Sequence, residues 1–423
     1  MKPGKLTFTK ILCMGLVTFV AASSPAEEAK SEPWKFGLRS RFRWEDSDQP
    51  HLSSSLRQYS SLRIRPQITF TGIDQLKIFL EPQYNKILGN PSGSTESSGN
   101  SNYTGSVDIV YMRNAYLDWT LLEDLHLIVG RQALAYGDQF IIGYSDWGVY
   151  GRSFDAIRFQ YKVPVVTVDL FQAKIVEAHA TSNNNGNDKD LTGLYVSFSP
   201  SENLKAVDLY GFYLNDAQRQ NAASNDTTRP WHFGVYGTRF VTAFDSFEWK
   251  AEFAQNFGDE NTSALDANFD NYMVDTRIDY RLGGTHSLGF HVFTAGMHWR
   301  DLYGTTHVPF GRSDVLGRRN LTGAAIHWNA NWTEQWSSTL DLYTFNRTHD
   351  GHPVYRTDSK TALATDSDSK VVGHEVDLNF KRSLNPNLSL GTGINFFFYG
   401  PYLESTGGGH TPHYVYFMIE ANY

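Results

Sequence analysis

From Trp34 onward the chain alternates apolar and polar residues with a period of two. Trp34, Phe36, Leu38, Phe42 and Trp44 share one parity; Lys35, Arg39, Arg41 and Arg43 share the other. Successive side chains of an extended strand point to opposite faces, so this stretch predicts a strand that is oily on one side and cationic on the other. The pattern recurs. Leu62, Ile64, Ile68 and Phe70 oppose Arg63, Arg65 and Gln67, and Ile157, Phe159 and Tyr161 oppose Arg158, Gln160 and Lys162. Phe247, Trp249 and Phe253 oppose Glu248, Lys250 and Glu252; Val274, Ile278 and Tyr280 oppose Asp275, Arg277 and Asp279; Val376, Leu378 and Phe380 oppose Glu375, Asp377 and Lys381. No stretch after the first thirty residues carries a helical period.

The oily-and-polar segments run about ten residues, the length of a tilted strand crossing a bilayer. Their connections alternate in length. Residues 46–58, 86–106, 133–153, 177–189, 297–320 and 348–370 are long and polar, whereas 72–74, 121–124, 163–164, 199–203, 283–284 and 385–386 are tight. A soluble sandwich has no reason to keep that alternation. Short periplasmic turns and long extracellular loops are the outer-membrane arrangement, and an even count of about 18 strands fits it. The expected fold is therefore all-β, a transmembrane antiparallel up-and-down β-barrel filling residues 27–423, with strands from about Trp34. A final amphipathic strand, Val415, Phe417, Ile419, Ala421 and Tyr423 on one parity, ends the chain on an aromatic residue.

Composition sharpens this picture. Aromatic residues make up 14 % of the chain, rich in Tyr and Phe, as interfacial girdles require. A mean hydropathy of −0.41 excludes a bundle of membrane helices. Lys2, Lys5 and Lys10 precede an apolar run from Ile11 to Ala22 and the small residues Ser24-Pro25-Ala26, which predicts a secretory signal over residues 1–26. Cys13 is the one cysteine and lies inside that signal, so disulfides and thiolate chemistry are not expected. The net charge is −8, and no basic nucleic-acid footprint is present.

Lipid cannot solvate charge, so the oily parity must face outward and the charged parity must line the lumen. At 16 to 18 strands that lumen is wide enough for water. Arg39, Arg41, Arg43, Arg63, Arg65, Lys77, Arg158, Lys162 and Arg277 become lumen candidates. Rings of Arg or Lys serve anion pores, and Arg grips carboxylates bidentately. Asp169, Glu248, Glu252, Asp275, Asp279, Glu375 and Asp377 share the inward parity, and charge balance across the lumen is the competing reading of the same residues.

Two blocks resemble the alginate export family. The first runs from Val129 to Arg158: Gly130-Arg131-Gln132, then Tyr136-Gly137-Asp138, Asp146-Trp147, and Gly151-Arg152-Ser153-Phe154-Asp155 leading to Arg158. The second is Leu302 to Asn320. The resemblance implies an 18-stranded outer-membrane barrel with a cation-lined constriction through which an anionic polysaccharide such as alginate leaves the cell. It implies that Arg131, Gln132, Arg152, Asp155 and Arg158 sit at or near that path, with outer-membrane lipid, the polysaccharide and periplasmic export machinery as partners. An uptake porin for small anions or oligosaccharides would use the same lumen. Nothing points to an enzyme: the chain has no nucleophile elbow, zinc helix or Walker loop, and no cofactor is implied. His291, His298, His307 and His327 read as girdle or loop residues rather than metal ligands, and the acidic stretches 183–190 and 266–270 as solvated loops rather than calcium sites.

Overall fold

The computed structural model describes residues 32–48, 57–88, 108–176, 189–216, 231–259, 271–305, 307–357, 362–363, 367–405 and 411–423. The signal expected over residues 1–26 and most of the two acidic stretches lie outside these.

Eighteen strands form one sheet. They are β1 (Trp34–Asp48), β2 (Arg57–Ile73), β3 (Leu76–Leu88), β4 (Asp108–Leu122), β5 (Leu125–Gln132), β6 (Phe154–Val163), β7 (Val166–Val176), β8 (Lys189–Phe198) and β9 (Leu204–Asp216), followed by β10 (Trp231–Phe244), β11 (Phe247–Asp259), β12 (Tyr272–Leu282), β13 (His286–Ala295), β14 (Leu321–Asn331) and β15 (Trp336–Arg347). A two-stranded hairpin of β16 (Val354–Tyr355) and β17 (Ala362–Leu363) interrupts the series, which ends with β18 (Val371–Asn385), β19 (Leu388–Tyr399), the short helix α1 (Pro401–Glu404) and β20 (His413–Asn422). Each strand of the large sheet pairs antiparallel with the next. The ladder closes where β1 pairs with β20 as well as β2, Arg39 opposite Asn422 and Asp48 opposite His413. Closure leaves no open sheet edge, the condition a β-structure must meet in lipid.

The alternation read from the sequence sorts side chains as expected. Leu194, Phe240, Phe290, Ile326 and Ile394 project outward and are exposed, while Asp275, Glu375 and Asp377 on the opposite parity are buried inside. Aromatics collect near both ends of the outward face. Trp34 with Phe70, Phe247 with Tyr280 and Trp328 with Trp332 lie at the tight-turn end; Tyr213, Tyr236 and Phe257 lie at the long-loop end.

One departure from strict alternation matters for the site. The β3–β4 register shifts between Glu81 and Pro82, whose partners are Asn114 and Met112. Arg113 is the extra residue of a bulge, and both it and Asn114 turn inward: Arg113 is buried, and Asn114 Nδ2 donates to Glu81 Oε1 at 3.0 Å. Proline has no amide hydrogen for the ladder, so Pro82 stands where pairing is already broken.

The inward face also differs from a simple charged lining. At the long-loop end, Phe154, Phe171, Tyr195, Tyr210, Phe212 and Phe233 point inward and are buried. They pack against Leu134, Tyr136, Phe140, Ile141 and Ile142 from the 133–153 connection and Trp299 from the 296–320 connection. Two long loops fold into the barrel mouth, so the wall behind them is apolar.

Leu194 sits mid-strand on β8 and is 46 % exposed on the outward face. Leu194→Arg is expected to cost about 2–4 kcal/mol of stability, the range for a cation at a bilayer midplane. Reversible urea unfolding in lipid vesicles would check this.

Candidate transport pathway

The register of β1 and β2 sets like charges directly opposite each other, Arg39 against Arg65 and Arg41 against Arg63. Such pairs are destabilising unless an acceptor comes between them. The 133–153 loop supplies it. Arg65 Nη1 reaches Asp146 Oδ1 at 2.7 Å, and Arg63, Arg39 and Arg113 lie 3.4, 3.6 and 3.9 Å from the same carboxylate. Arg41 donates to the carbonyls of Asp146 (3.1 Å), Trp147 (2.9 Å) and Gly148 (3.0 Å), and Arg43 to that of Trp147 (2.7 Å). Burial pushes the Asp146 carboxyl up, but the guanidiniums of Arg63 and Arg65 more than reverse this and hold it at about 2.

The same loop is tied on another side of the barrel. Arg239 on β10 takes both carboxylate oxygens of Asp138 at 3.0 Å and reaches Asp208 of β9 at 2.8 Å. The loop therefore spans the lumen from β1–β4 to β10. The 296–320 loop is tied by acids and amides. Ser313 N donates to Glu375 at 2.7 Å and Arg312 N to Asp377 at 3.0 Å, while Asn256 of β11 bonds the backbone of Arg300. Gly311, at φ +86°, lies so close to Glu375 that a Cβ would fall 2.3 Å from its carboxyl.

The two loops meet inside the barrel. Gly143 N donates to Tyr303 O at 2.9 Å, Tyr303 N to Ile141 O at 3.0 Å and Thr305 N to Gln139 O at 2.9 Å. A Cβ at Gly304 would stand 2.0 Å from the Phe140 carbonyl, so the approach needs glycine. Arg152 donates to the carbonyls of Gly143 and Tyr303. Its burial lowers its guanidinium to about 10, still charged at neutral pH. Trp147 stacks on His307 at 4.4 Å, and burial lowers the His307 imidazole although Asp314 bonds it at 3.0 Å. Arg43 lies 4.4 Å over the Trp147 ring.

A closed barrel whose mouth is crossed by two inward loops is a pore architecture. Residues 33–417 match the profile of the alginate export family. The chain belongs to that family. Among curated proteins, none matches it in sequence. The fold is similar to solved outer-membrane proteins at low identity. OccK5 (OpdH) of Pseudomonas aeruginosa matches with a TM-score of 0.61 and 12 % identity over 92 % of this chain and 98 % of its own. OccAB1 of Acinetobacter baumannii gives 0.63 and 10 % over 94 % and 98 %. The outer membrane protein OpdK of Pseudomonas aeruginosa gives 0.61 and 9 % over 93 % and 99 %. This alginate export family member is an outer-membrane pore, and its tight turns face the periplasm.

The residues singled out in the sequence fall into three groups. Arg39, Arg41, Arg63 and Arg65 converge on Asp146. Lys77 faces the lumen at the tight-turn end beside Asp118 (3.0 Å), and Arg158 and Arg277 face it at mid-strand beside Asp169 (3.8 Å) and Asp279 (2.7 Å). The third group does not line the lumen as a charged path. Arg131 and Asp155 pair with each other at 2.9 Å on the outward face. Gly130 takes φ +124° there, yet Ile128 and Gln132 keep the inward parity and Arg131 stays outside. Gln132 points inward but is buried, and its amide donates to the carbonyls of Gly130 and Ala156. Arg152 joins the two loops.

His291 and His327 correct the expectation of girdle or loop positions. Both are buried on the inward face: His327 stands opposite Asp341 in the β14–β15 register and bonds it at 2.8 Å, and His291 reaches diagonally to Asp275 of β12 at 3.0 Å. No group of three or more potential metal ligands occurs among the described residues. Sequence reasoning passed over Arg113 and Arg239, and took Asp146 only as part of the Asp146-Trp147 motif, with no site role. The change of apolar parity from Val110 and Met112 to Leu117 and Trp119 marks the bulge that turns Arg113 inward.

Asp146 is depressed below the ordinary carboxylate value, so its contribution is complete above that value and is lost as the pH falls through about 2. Single-channel conductance is expected to stay level between about pH 4 and 7 and to become noisy as the solution approaches that acid limit. Bilayer recordings across a pH series would show it.

Proposed function

We propose that this pore passes an anionic saccharide, an alginate-like uronate polymer moving outward, by passive and anion-selective diffusion. The supporting observation is the geometry of the lumen ion pairs: in most of them the cation reaches further into the water than the acid. Lys77 is 40 % exposed and its partner Asp118 14 %; Lys205 is 42 % and Glu248 22 %; Arg277 is 30 % and Asp279 18 %. Lys and Arg carry longer stems than Asp and Glu, so a wall with nearly balanced charge still presents ammonium and guanidinium heads toward the axis. Low-dielectric walls focus that field and raise the local concentration of anions. Arg39, Arg158, Lys77 and Arg277 are the residues such a cargo would meet, and the arginines match its carboxylates bidentately.

In this reading the barrel has no catalytic role. It has no energy source, so synthesis or a gradient drives the polymer, and periplasmic export machinery delivers it. Residues 1–26 serve as the secretory signal. A second reading, uptake of small anions or oligosaccharides, is favoured by the two-loop bridge, which leaves less width for a bulky chain.

Reversal potentials in planar bilayers under a KCl gradient test the central claim. Chloride is expected to permeate better than potassium, and uronate oligomers to block the current. The triple variant Arg39→Gln, Lys77→Gln, Arg277→Gln should bring the permeability ratio close to one. Cation preference in the wild type would overturn the reading.

A further inference from the structure

The arginines on β1, β2 and β4 outnumber the acid they hold. Arg39, Arg63, Arg65 and Arg113 surround one carboxylate, that of Asp146, with Arg41 on the adjoining backbone carbonyls; the other acceptors of the group are neutral, carbonyl oxygens, the Gln83 amide and the Ser153 hydroxyl. Nearby acids are otherwise engaged: Glu45 pairs with Arg43 at 2.9 Å, and Glu81 accepts from Gln67 and Asn114. Glu420 stands opposite Arg41 in the strand register. Three donors of the group, Arg41 Nε, Arg65 Nη2 and Arg113 Nε, are buried without a hydrogen-bond partner, and Arg65 is 1 % exposed. Buried guanidinium donors are costly to leave unmade, so the cluster has capacity for more acceptor oxygens than the loop supplies.

We propose that this cradle is a carboxylate-binding site filled at rest by the chain's own Asp146, and that an acidic saccharide exchanges with Asp146 and frees the 145–150 segment from the wall. The proposal rests on the anion-pathway reading above and adds to it a site and a competitor. One carboxylate replaces another on the same guanidiniums, so the exchange leaves charge pairing nearly unchanged, and a cargo with several carboxylates gains further contacts along the strands. The segment can swing without unravelling the loop. Its flanks stay fixed, on one side by Asp138 on Arg239 and the backbone pairing of Ile141 and Gly143 with Tyr303, on the other by Arg152 on the Gly143 and Tyr303 carbonyls. Gly151, at φ +74°, packs against Arg65 and Arg113 just past the far end of the segment. A neutral saccharide has no group to exchange.

The test compares block by a uronate tetrasaccharide and by maltotetraose in bilayers holding the full protein. Asp146→Asn removes the competitor, and the uronate concentration for half block should fall about fivefold, the scale of one partly exposed ion pair, with maltotetraose unaffected. Because that variant could also unseat the loop, a second measurement keeps Asp146: Val149→Cys is labelled by a water-soluble maleimide, and labelling should quicken when the uronate is added but not when maltotetraose is. Unchanged or weaker uronate block in Asp146→Asn, together with labelling indifferent to the uronate, overturns the exchange even if the wild type prefers anions. A wild type with no anion preference overturns both the exchange and the pathway reading.

Discussion

A bilayer offers a peptide no hydrogen bonds, and the rest of this structure follows from that constraint. Every backbone amide in the hydrocarbon must pair with a neighbouring strand, and the last strand must return to the first. Once β1 lies between β2 and β20, the two faces of each strand acquire fixed meanings. One can hold only what lipid tolerates; the other inherits nearly all the charge. Arginine rows on adjacent strands are thereby forced into direct opposition. The 133–153 loop then becomes part of the wall's electrostatics, since it brings Asp146 and three carbonyls to guanidiniums that would otherwise repel one another.

The two inward loops are fastened by opposite chemistry. One carries acids to a basic wall: Asp146 to Arg63 and Arg65, and Asp138 to Arg239. The other carries backbone amides to an acidic wall, Ser313 to Glu375 and Arg312 to Asp377. Between them lies an apolar layer, with Arg318 held between the rings of Phe140 and Phe310. The lumen is therefore graded along its length. It is apolar and loop-filled at the mouth and lined by solvated ion pairs toward the periplasm.

How much of this was legible in the sequence depends on its physical origin. Period-two alternation and the contrast of long and short connections come from the bilayer and act on every strand, so strand number, closure and facing could be read directly. Arg39, Arg41, Arg63, Arg65, Arg158 and Arg277 faced inward by parity alone. Parity failed where the ladder breaks step: the bulge turns both Arg113 and Asn114 inward, so counting back from Leu117 and Trp119 sends Arg113 out. It was silent on loops, because nothing periodic says that residues 133–153 fold into the barrel or that Asp146 meets four guanidiniums. The family motif was a poor guide to orientation at Arg131 and Asp155, which pair on the outer face. His291 and His327 were misplaced for a related reason. Each was considered singly, whereas its role comes from the acid on a neighbouring strand.

The loop bridge has a mechanical side as well. A tube whose wall is one sheet thick resists stretching along its strands but yields readily to ovalisation of its cross-section. Here the 133–153 and 296–320 segments are anchored to β1–β4, β10, β11 and β18 and joined to each other through Tyr303. They act as a cross-brace on that ring. The contacts that narrow the mouth also keep it round, so widening the passage by loosening the brace would soften the rim of the barrel at the same time.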